Sequence, residues 1–444
     1  MSTSPVGAIN LECLMSRANI LFTSGYRFRG ELNAANLQAS FNAVVDRIEK
    51  FGHRLHFESQ DNFHWRQVGA YDARFRVIDS DDIDQAFKEL CRDSLSLLDD
   101  GKHCPMALAV IRDRRNPDQF IITQTCEHTY VDARSAEVIF NRVIDYYNAL
   151  SRGDDARMEA ILAAAESTRT LGSAEMIERL AADGHDHDHE ANVQDLAAYP
   201  IADIGEYAIP LDTVPACLDD YKKQRFAPVM EFFDIERLLK RCRAKHPEVT
   251  QNSVICAALA KGFYDLNRAA KGKPEKHIVS FKMLSDLLSP ELRQKYSGNY
   301  IAFVPVSVDG DLPIEDMAKA IHERIRRFKT RKLDLSVFKL VEDAVDAALV
   351  GTADDPLSFV VTNWNNHRFL KTPDYLHGCE SLRHQSGVNI EPKDTLGAIL
   401  VNRPILVINQ SPNDELCLSF FPSLRSEAET LAVANSIGDA FRNA

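Results

Sequence analysis

Two spacings of apolar residues take turns along this chain. Unbroken or alternating apolar runs predict strands, and recurrence at offsets of three and four predicts helices. Ile20 to Phe28 reads as a strand leaving through the turn Gly30-Glu31-Leu32-Asn33, and Leu37, Phe41, Val44, Val45 and Ile48 stripe a helix over residues 34–51. Short strands follow at Arg54 to Phe57 and Trp65 to Val68 around an Asp61-Asn62 turn, then a helix over 84–98 carrying Phe87, Leu90 and Leu97. Ala107 to Arg112 and Phe120 to Cys126 are strands joined by the polar turn Arg114 to Asp118. The second is apolar enough to be buried on both faces. It ends on Glu127-His128, and after Asp132 Ile139, Val143, Tyr146 and Leu150 line one helical face. Strands alternating with helices predict an α/β layer.

From Ser151 to about Pro215 the pattern fades into Ala-, Asp- and Glu-rich sequence, read as a linker or a long crossover. The same grammar then returns. Helices are expected at Asp234 to Cys242 and at Ser253 to Leu266, the latter burying Val254, Ala258, Leu259 and Phe263. A strand at Ile278 to Met283 precedes the turn Ser297-Gly298-Asn299 and a strand from Tyr300 to Val308. Ile314, Met317, Ile321, Ile325 and Phe328 stripe a helix, and a buried strand at Leu357 to Val361 ends on Thr362-Asn363-Trp364. Ile399 to Asn409 and Leu416 to Phe421 form a hairpin, and a last helix runs from about Glu427 to Phe441. Two α/β halves invite a site at their seam.

Composition narrows the function classes. At 444 residues the chain exceeds one ordinary core. A net charge of −13 argues against nucleic acid, which calls for a basic footprint. Nine dispersed cysteines without a CxxC pair suggest reduced thiols in the cytoplasm. The opening MSTSPVGAINLECLMSR lacks a basic stretch followed by an apolar one, and no apolar run approaches the ~20 residues of a membrane span. A soluble protein without membrane or address is expected.

The candidate chemistry begins at His128. A histidine at the mouth of a buried strand, with Asp132 four residues on and a helix behind, is rigidly held yet reachable. Its imidazole could take a proton from an alcohol or amine attacking a carbonyl, or it could be a histidine satisfied by backbone partners at a strand end. Asp132 reads better as half of a salt bridge fixing the loop, with an arginine not identified, than as an orienter of His128. Thr362-Asn363-Trp364 offers hydroxyl, amide and indole donors to a developing oxyanion, against the alternative of a core Trp. The basic run Arg324, Arg326, Arg327, Lys329, Arg331 and Lys332 could receive phosphates or an acidic carrier protein, or be a solvated helix face. Lys271, Lys273 and Lys276 form a weaker candidate of the same kind. The alternating run Gly184 to Glu190 holds three histidines, but on a charged flexible segment no metal is placed there. No GxSxG, Walker or dinucleotide-binding pattern appears.

Together these residues resemble the chloramphenicol-acetyltransferase-like acyltransferases, which include the BAHD enzymes and the condensation domains of nonribosomal peptide synthetases. His128-Thr129-Tyr130-Val131-Asp132 matches their HxxxD motif, Val361-Thr362-Asn363-Trp364 is similar to the TSW segment of BAHD enzymes, and Ser297-Gly298-Asn299-Tyr300 resembles the family's GN turn. Glu127 and Ala133 stand where condensation domains carry a histidine and a glycine, and Asp374 to Cys379 does not reproduce the BAHD DFGWG. Lys282-Met283-Leu284-Ser285 stands where relatives often place an arginine. The resemblance implies an α/β fold of two acetyltransferase-like subdomains, a pseudo-dimer with a central tunnel. Their bounds would be residues 1–175, with HxxxD, and 216–444, joined by a crossover over 176–215. It also implies a monomeric acyltransferase of secondary metabolism, transferring groups other than aminoacyl groups. His128 would be the general base, Asp132 structural, and Thr362 and Trp364 near the oxyanion. Arg324, Arg327, Lys329 and Lys273 would contact the donor. No bound cofactor or metal is implied; coenzyme A or a carrier's phosphopantetheine thioester is co-substrate to a small-molecule acceptor. The alternatives are a stand-alone condensation domain joining carrier-bound substrates and a catalytically silent acyl- or carrier-binding scaffold.

Overall fold

A computed structural model describes residues 7–58, 63–68, 72–98, 103–182, 188–199, 201, 209–224, 227–271, 277–350, 357–364, 367–372, 374–421 and 423–442. In chain order the strands are β1 Ile20–Gly30, β2 His53–Phe57, β3 Phe63–Gln67, β4 Asp72–Ser80, β5 His103–Asp113, β6 Gln119–Glu127 and β7 Val229–Asp234. They continue as β8 Ile278–Asp286, β9 Ile301–Asp309, β10 Phe359–Asn363, β11 Cys379–Ile390, β12 Ile405–Gln410 and β13 Glu415–Phe421. They form a five-stranded sheet ordered β11-β1-β6-β5-β4, a six-stranded sheet ordered β7-β13-β12-β10-β8-β9, and the hairpin β2-β3. This is the α/β architecture of two lobes expected above.

Each sheet is covered by the helices whose stripes the sequence shows. Ala133–Arg152 packs on the first sheet through Ile139, Phe140, Val143 and Ile144, next to Ala34–Val45. The second sheet buries Gln251–Lys271 and Ile314–Thr330 through Val254, Leu259, Phe263, Met317 and Ile321. β6 is buried along Phe120 to Cys126, as its composition requires.

The lobes are not contiguous in sequence. β11, from the carboxyl-terminal half, pairs antiparallel with β1 from Ile20↔Ile390 to Gly30↔Cys379, while the other edge of β1 pairs with β6. β11 also touches the second sheet, where Ser386 Oγ lies 2.6 Å from Asn409 Oδ1 and Ser419 Oγ donates to the Ser386 carbonyl. The seam between the sheets therefore runs along β11, β12 and β13.

Several local expectations are corrected. Ser151 to Pro215, read as a linker or a long crossover, is largely helical over its described residues: Asp155–Glu166, Ser173–Ala182, His189–Ala198 and the start of Val214–Tyr221. Alanine-rich sequence makes helices even where only a narrow face is buried, which is why the apolar period was faint. The 84–98 helix is two, Ile83–Arg92 and Leu95–Leu98, and Ile399 lies within a short helix, Thr395–Leu400, rather than opening a strand, which begins at Ile405. Asp234 ends β7 before the helix Glu236–Lys245. Helices Asn10–Ala18 and Leu333–Asp346 and strands β4 and β11 are additions. The Asp61-Asn62 turn, Lys273, Lys276 and His185 to His187 lie outside the described residues, and nothing is described of the Lys271 side chain. No helix among the described residues is long and apolar enough to cross a membrane. All nine cysteines are free thiols.

Candidate active site

β6 delivers His128 to the seam. The His128 N–H donates to the Ile20 carbonyl at 2.9 Å, continuing the β1–β6 ladder by one residue. The ring Nδ1 lies 2.9 Å from Oδ1 of Asn299, two residues before β9 in the second lobe. The orientation of that amide is set independently, because Asn299 Nδ2 donates to the carbonyls of His128 at 2.8 Å and Thr129 at 3.2 Å. With Oδ1 left to face the ring, Nδ1 must carry the hydrogen, and the lone pair is on Nε2. Burial pushes the His128 pKa below its ordinary 6.5, partly offset by a hydrogen bond to its own backbone, the Asp132 charge and Asn299. The ring is neutral near pH 7, a base with its proton-accepting nitrogen defined.

Asp132 makes no hydrogen bond to His128; it caps the helix Ala133–Arg152. Its Oδ1 accepts the Ser135 N–H at 2.8 Å, the N-cap bond that satisfies an otherwise orphaned donor. Its Oδ2 accepts the Tyr300 N–H at 3.1 Å. The arginine that sequence reasoning left open is Arg293, whose Nη1 and Nη2 lie 3.1 and 2.8 Å from the two carboxylate oxygens. Both residues are buried, at 4% and 2% side-chain exposure. Arg293 also donates to Ser135 Oγ at 3.0 Å and to the Tyr300 carbonyl at 3.2 Å, with Asp286 on its Nε side. The Asp132 N–H and Ser135 hydroxyl both reach the Gly298 carbonyl. The loop from His128 to Asp132 is thus bolted across the seam to the turn that presents Asn299. Arg293 sits between β8 and β9, away from Lys282 to Ser285; only its charge near the turn Ser297-Gly298-Asn299 could have hinted at it.

His128 opens onto a cavity of about 610 Å³ between the lobes, lined by residues of β1, β8, β9, β10, β11 and β12. Thr362 and Trp364 line it too. The Trp364 indole N–H donates to Thr362 Oγ1 at 3.0 Å, so it is committed within the protein. Phe22 stands edge-on to both the His128 ring, at 5.3 Å, and Trp364, at 5.5 Å, and fixes their spacing.

The basic run goes elsewhere. Arg324 is buried, with Nε donating to the Pro305 carbonyl and its guanidinium 3.6 Å over the Tyr199 ring. Arg327 pairs with Asp195 of His189–Ala198, the crossover segment. Neither lines the cavity; Asp195 and Tyr199 of the crossover segment pack against them instead. Lys329 reaches the rim: it contacts Ser285 Oγ and lies 2.9 Å from Asp334, and Ser285 and Asp286 line the cavity. Among the described residues, no group of three or more His, Cys, Asp and Glu side chains is placed to hold a metal ion.

No family pattern and no curated protein matches this sequence. Solved structures do match its fold. The first condensation domain of the calcium-dependent antibiotic synthetase in complex with a substrate analogue superposes with a TM-score of 0.66 at 11% identity, over 98% of this chain and 95% of that one. Polyketide synthase associated protein 5 from Mycobacterium tuberculosis gives 0.61 at 13% identity, over 97% of both chains. A mutant starter condensation domain of rhizomide synthetase, in complex with C8-CoA and Leu-SNAC, gives 0.62 at 10% identity, over 98% of this chain and 90% of that one.

Proposed function

Taking the chloramphenicol-acetyltransferase-like fold shared with condensation domains as premise, we propose that this protein is an acyltransferase of secondary metabolism. It moves an acyl group from a thioester, acyl-CoA or acyl carrier protein, to a hydroxyl or amine of a small acceptor, as a cytoplasmic monomer. The observation that carries this reading is the His128 ring at the inter-lobe cavity, its Nδ1 bound to Asn299 and its Nε2 lone pair free to act. The acceptor's proton passes to Nε2 as its oxygen or nitrogen attacks the thioester carbon, and the carbonyl π pair moves onto oxygen. When the tetrahedral intermediate collapses, the C–S bond breaks and the imidazolium returns the proton to the thiolate. Ester or amide and free thiol leave, with no acyl-enzyme.

Because the Thr362 oxygen accepts the indole N–H, its own hydroxyl hydrogen is directed away from Trp364. We assign Thr362 as the oxyanion donor and Trp364 as the residue that orients it. Asp132 serves through Arg293 and the turn bearing Asn299, and Lys329 at the rim is the donor-binding candidate retained. The C8-CoA bound by the rhizomide synthetase domain supports a thioester co-substrate. The condensation domains among the neighbours favour a second reading, the joining of two carrier-bound substrates.

The test is thiol release from a panel of acyl-CoAs and phosphopantetheinylated carriers with candidate acceptors. His128→Ala should lower turnover by about two to four decades, the contribution of a general base. Undiminished turnover in that variant sinks the mechanism. Turnover only with carrier-bound donor and acceptor together decides for the condensation reading.

A further inference from the structure

Helix Asn10–Ala18 turns Leu11, Leu14, Met15 and Ala18 toward the cavity, at offsets of three, four and seven. That is the stripe by which a helix packs on a neighbour; Leu11, Leu14 and Ala18 are buried among such neighbours and also border the open space. Val341 and Ala344, one turn apart on Leu333–Asp346, form a second wall, and the cross-strand pair Leu284↔Phe303 of β8 and β9 a third. The two helical walls carry no polar side chain of the lining: Asp132, Arg134, Thr362 and Asn363 share short segments with His128 and Trp364, Lys282, Ser285 and Asp286 adjoin Leu284 on β8, and Arg403 precedes β12. A hydrogen-bonding group held against the helical walls would lose its water without replacement, whereas a methylene chain gains by leaving water.

We infer that this arm holds an unbranched aliphatic acyl chain of the thioester donor. The inference rests on the reading of His128 as the base. Of the groups meeting at the tetrahedral carbon, the oxyanion, the acceptor and the thiol's pantetheine arm all carry hydrogen-bonding atoms; the alkyl group alone suits walls of Leu, Ile, Val and Met. A methylene fills about the ~30 Å³ share of a liquid water. At that share the 610 Å³ cavity holds about twenty such groups, divided among the reacting carbonyl, the sulfur, the acceptor and a chain on the order of ten carbons. Met15, unbranched and adaptable, closes on chains of slightly different length.

The experiment is a ladder of acetyl-, hexanoyl-, decanoyl- and tetradecanoyl-CoA, read as kcat/KM for the wild-type protein and as binding affinity by calorimetry for wild type and His128→Ala. Full burial is worth about fourfold per methylene. We expect a rise of at least ~100-fold from acetyl to decanoyl, levelling or falling by tetradecanoyl, with the same order of affinities in His128→Ala. Ala344→Phe, and independently Val341→Phe, should move the optimum to a shorter chain. A flat ladder, a preference for acetyl, or a length dependence that follows the acceptor instead overturns the inference, even if His128→Ala abolishes turnover. Conversely, a steep ladder with undiminished His128→Ala turnover keeps the chain pocket and removes the catalytic reading. Should neither protein turn over any thioester, the binding ladder alone decides.

Discussion

Replacing Asp132 by asparagine separates a clamp from a catalyst. Both carboxylate oxygens are doubly occupied, Oδ1 by the Ser135 N–H and Arg293 Nη1, Oδ2 by the Tyr300 N–H and Arg293 Nη2. An amide keeps one acceptor oxygen and turns its NH2 toward a backbone donor and a guanidinium. Removing one partner of a buried, hydrogen-bonded ion pair costs about 3–5 kcal/mol. Arg293 retains Asp286, which is partly exposed, so the lower end, about 3 kcal/mol, is expected for Asp132→Asn. Arg293→Met strands a carboxylate that is 2% exposed with two backbone donors and should reach the upper end of that range. The double variant should recover about 1 kcal/mol or more of the summed loss, since the two share one interaction. Urea unfolding followed by the fluorescence of Trp65 and Trp364 measures the stabilities, and turnover is assayed where each variant remains folded. The reasoning is refuted if Asp132→Asn unfolds at the wild-type midpoint. If it does so while turnover collapses, Asp132 acts on the reacting groups and not through Arg293.

Burial places the acid limb of wild-type activity below pH 6.5, the ordinary value for His128; a limb above it contradicts a neutral, enclosed ring. Asn299→Asp sets a carboxylate against Nδ1 and should move that limb to higher pH, while Asn299→Ala should lower kcat without that displacement. Because the native ring takes up its proton at lower pH than the unfolded one, His128 contributes stability that is complete above pH 6.5 and is lost as pH falls toward its native pKa. Glu342 has the opposite sign: burial raises its pKa to about 7 from 4.5, so the protein loses stability as pH climbs between those values. It accepts the Asn10 N–H at 3.1 Å, at the start of the cavity-lining helix. Glu342→Gln should therefore match wild type in mildly acidic buffer and gain on the order of 2 kcal/mol over it in mildly alkaline buffer, seen as a Tm difference that grows with pH; a difference that shrinks with pH contradicts this.

Strand β6, helix Ala133–Arg152 and the place of His128 between them were legible in the sequence because each depends on residues adjacent in the chain: a buried run and a change of period. The Ser297-Gly298-Asn299 turn was legible for the same reason. Its purpose was not. Asn299 lies 171 positions from the histidine whose ring hydrogen it accepts, and Arg293 lies 161 positions from Asp132. Such partners are chosen by how two sheets dock, and a local pattern carries no record of docking. The same limit explains Arg324 and Arg327, whose charges suggested a phosphate site until the crossover helix placed Asp195 and Tyr199 against them. Local chemistry wrote the elements and named the histidine; the tertiary fold decided which nitrogen of that ring is free, what holds it there, and what it faces.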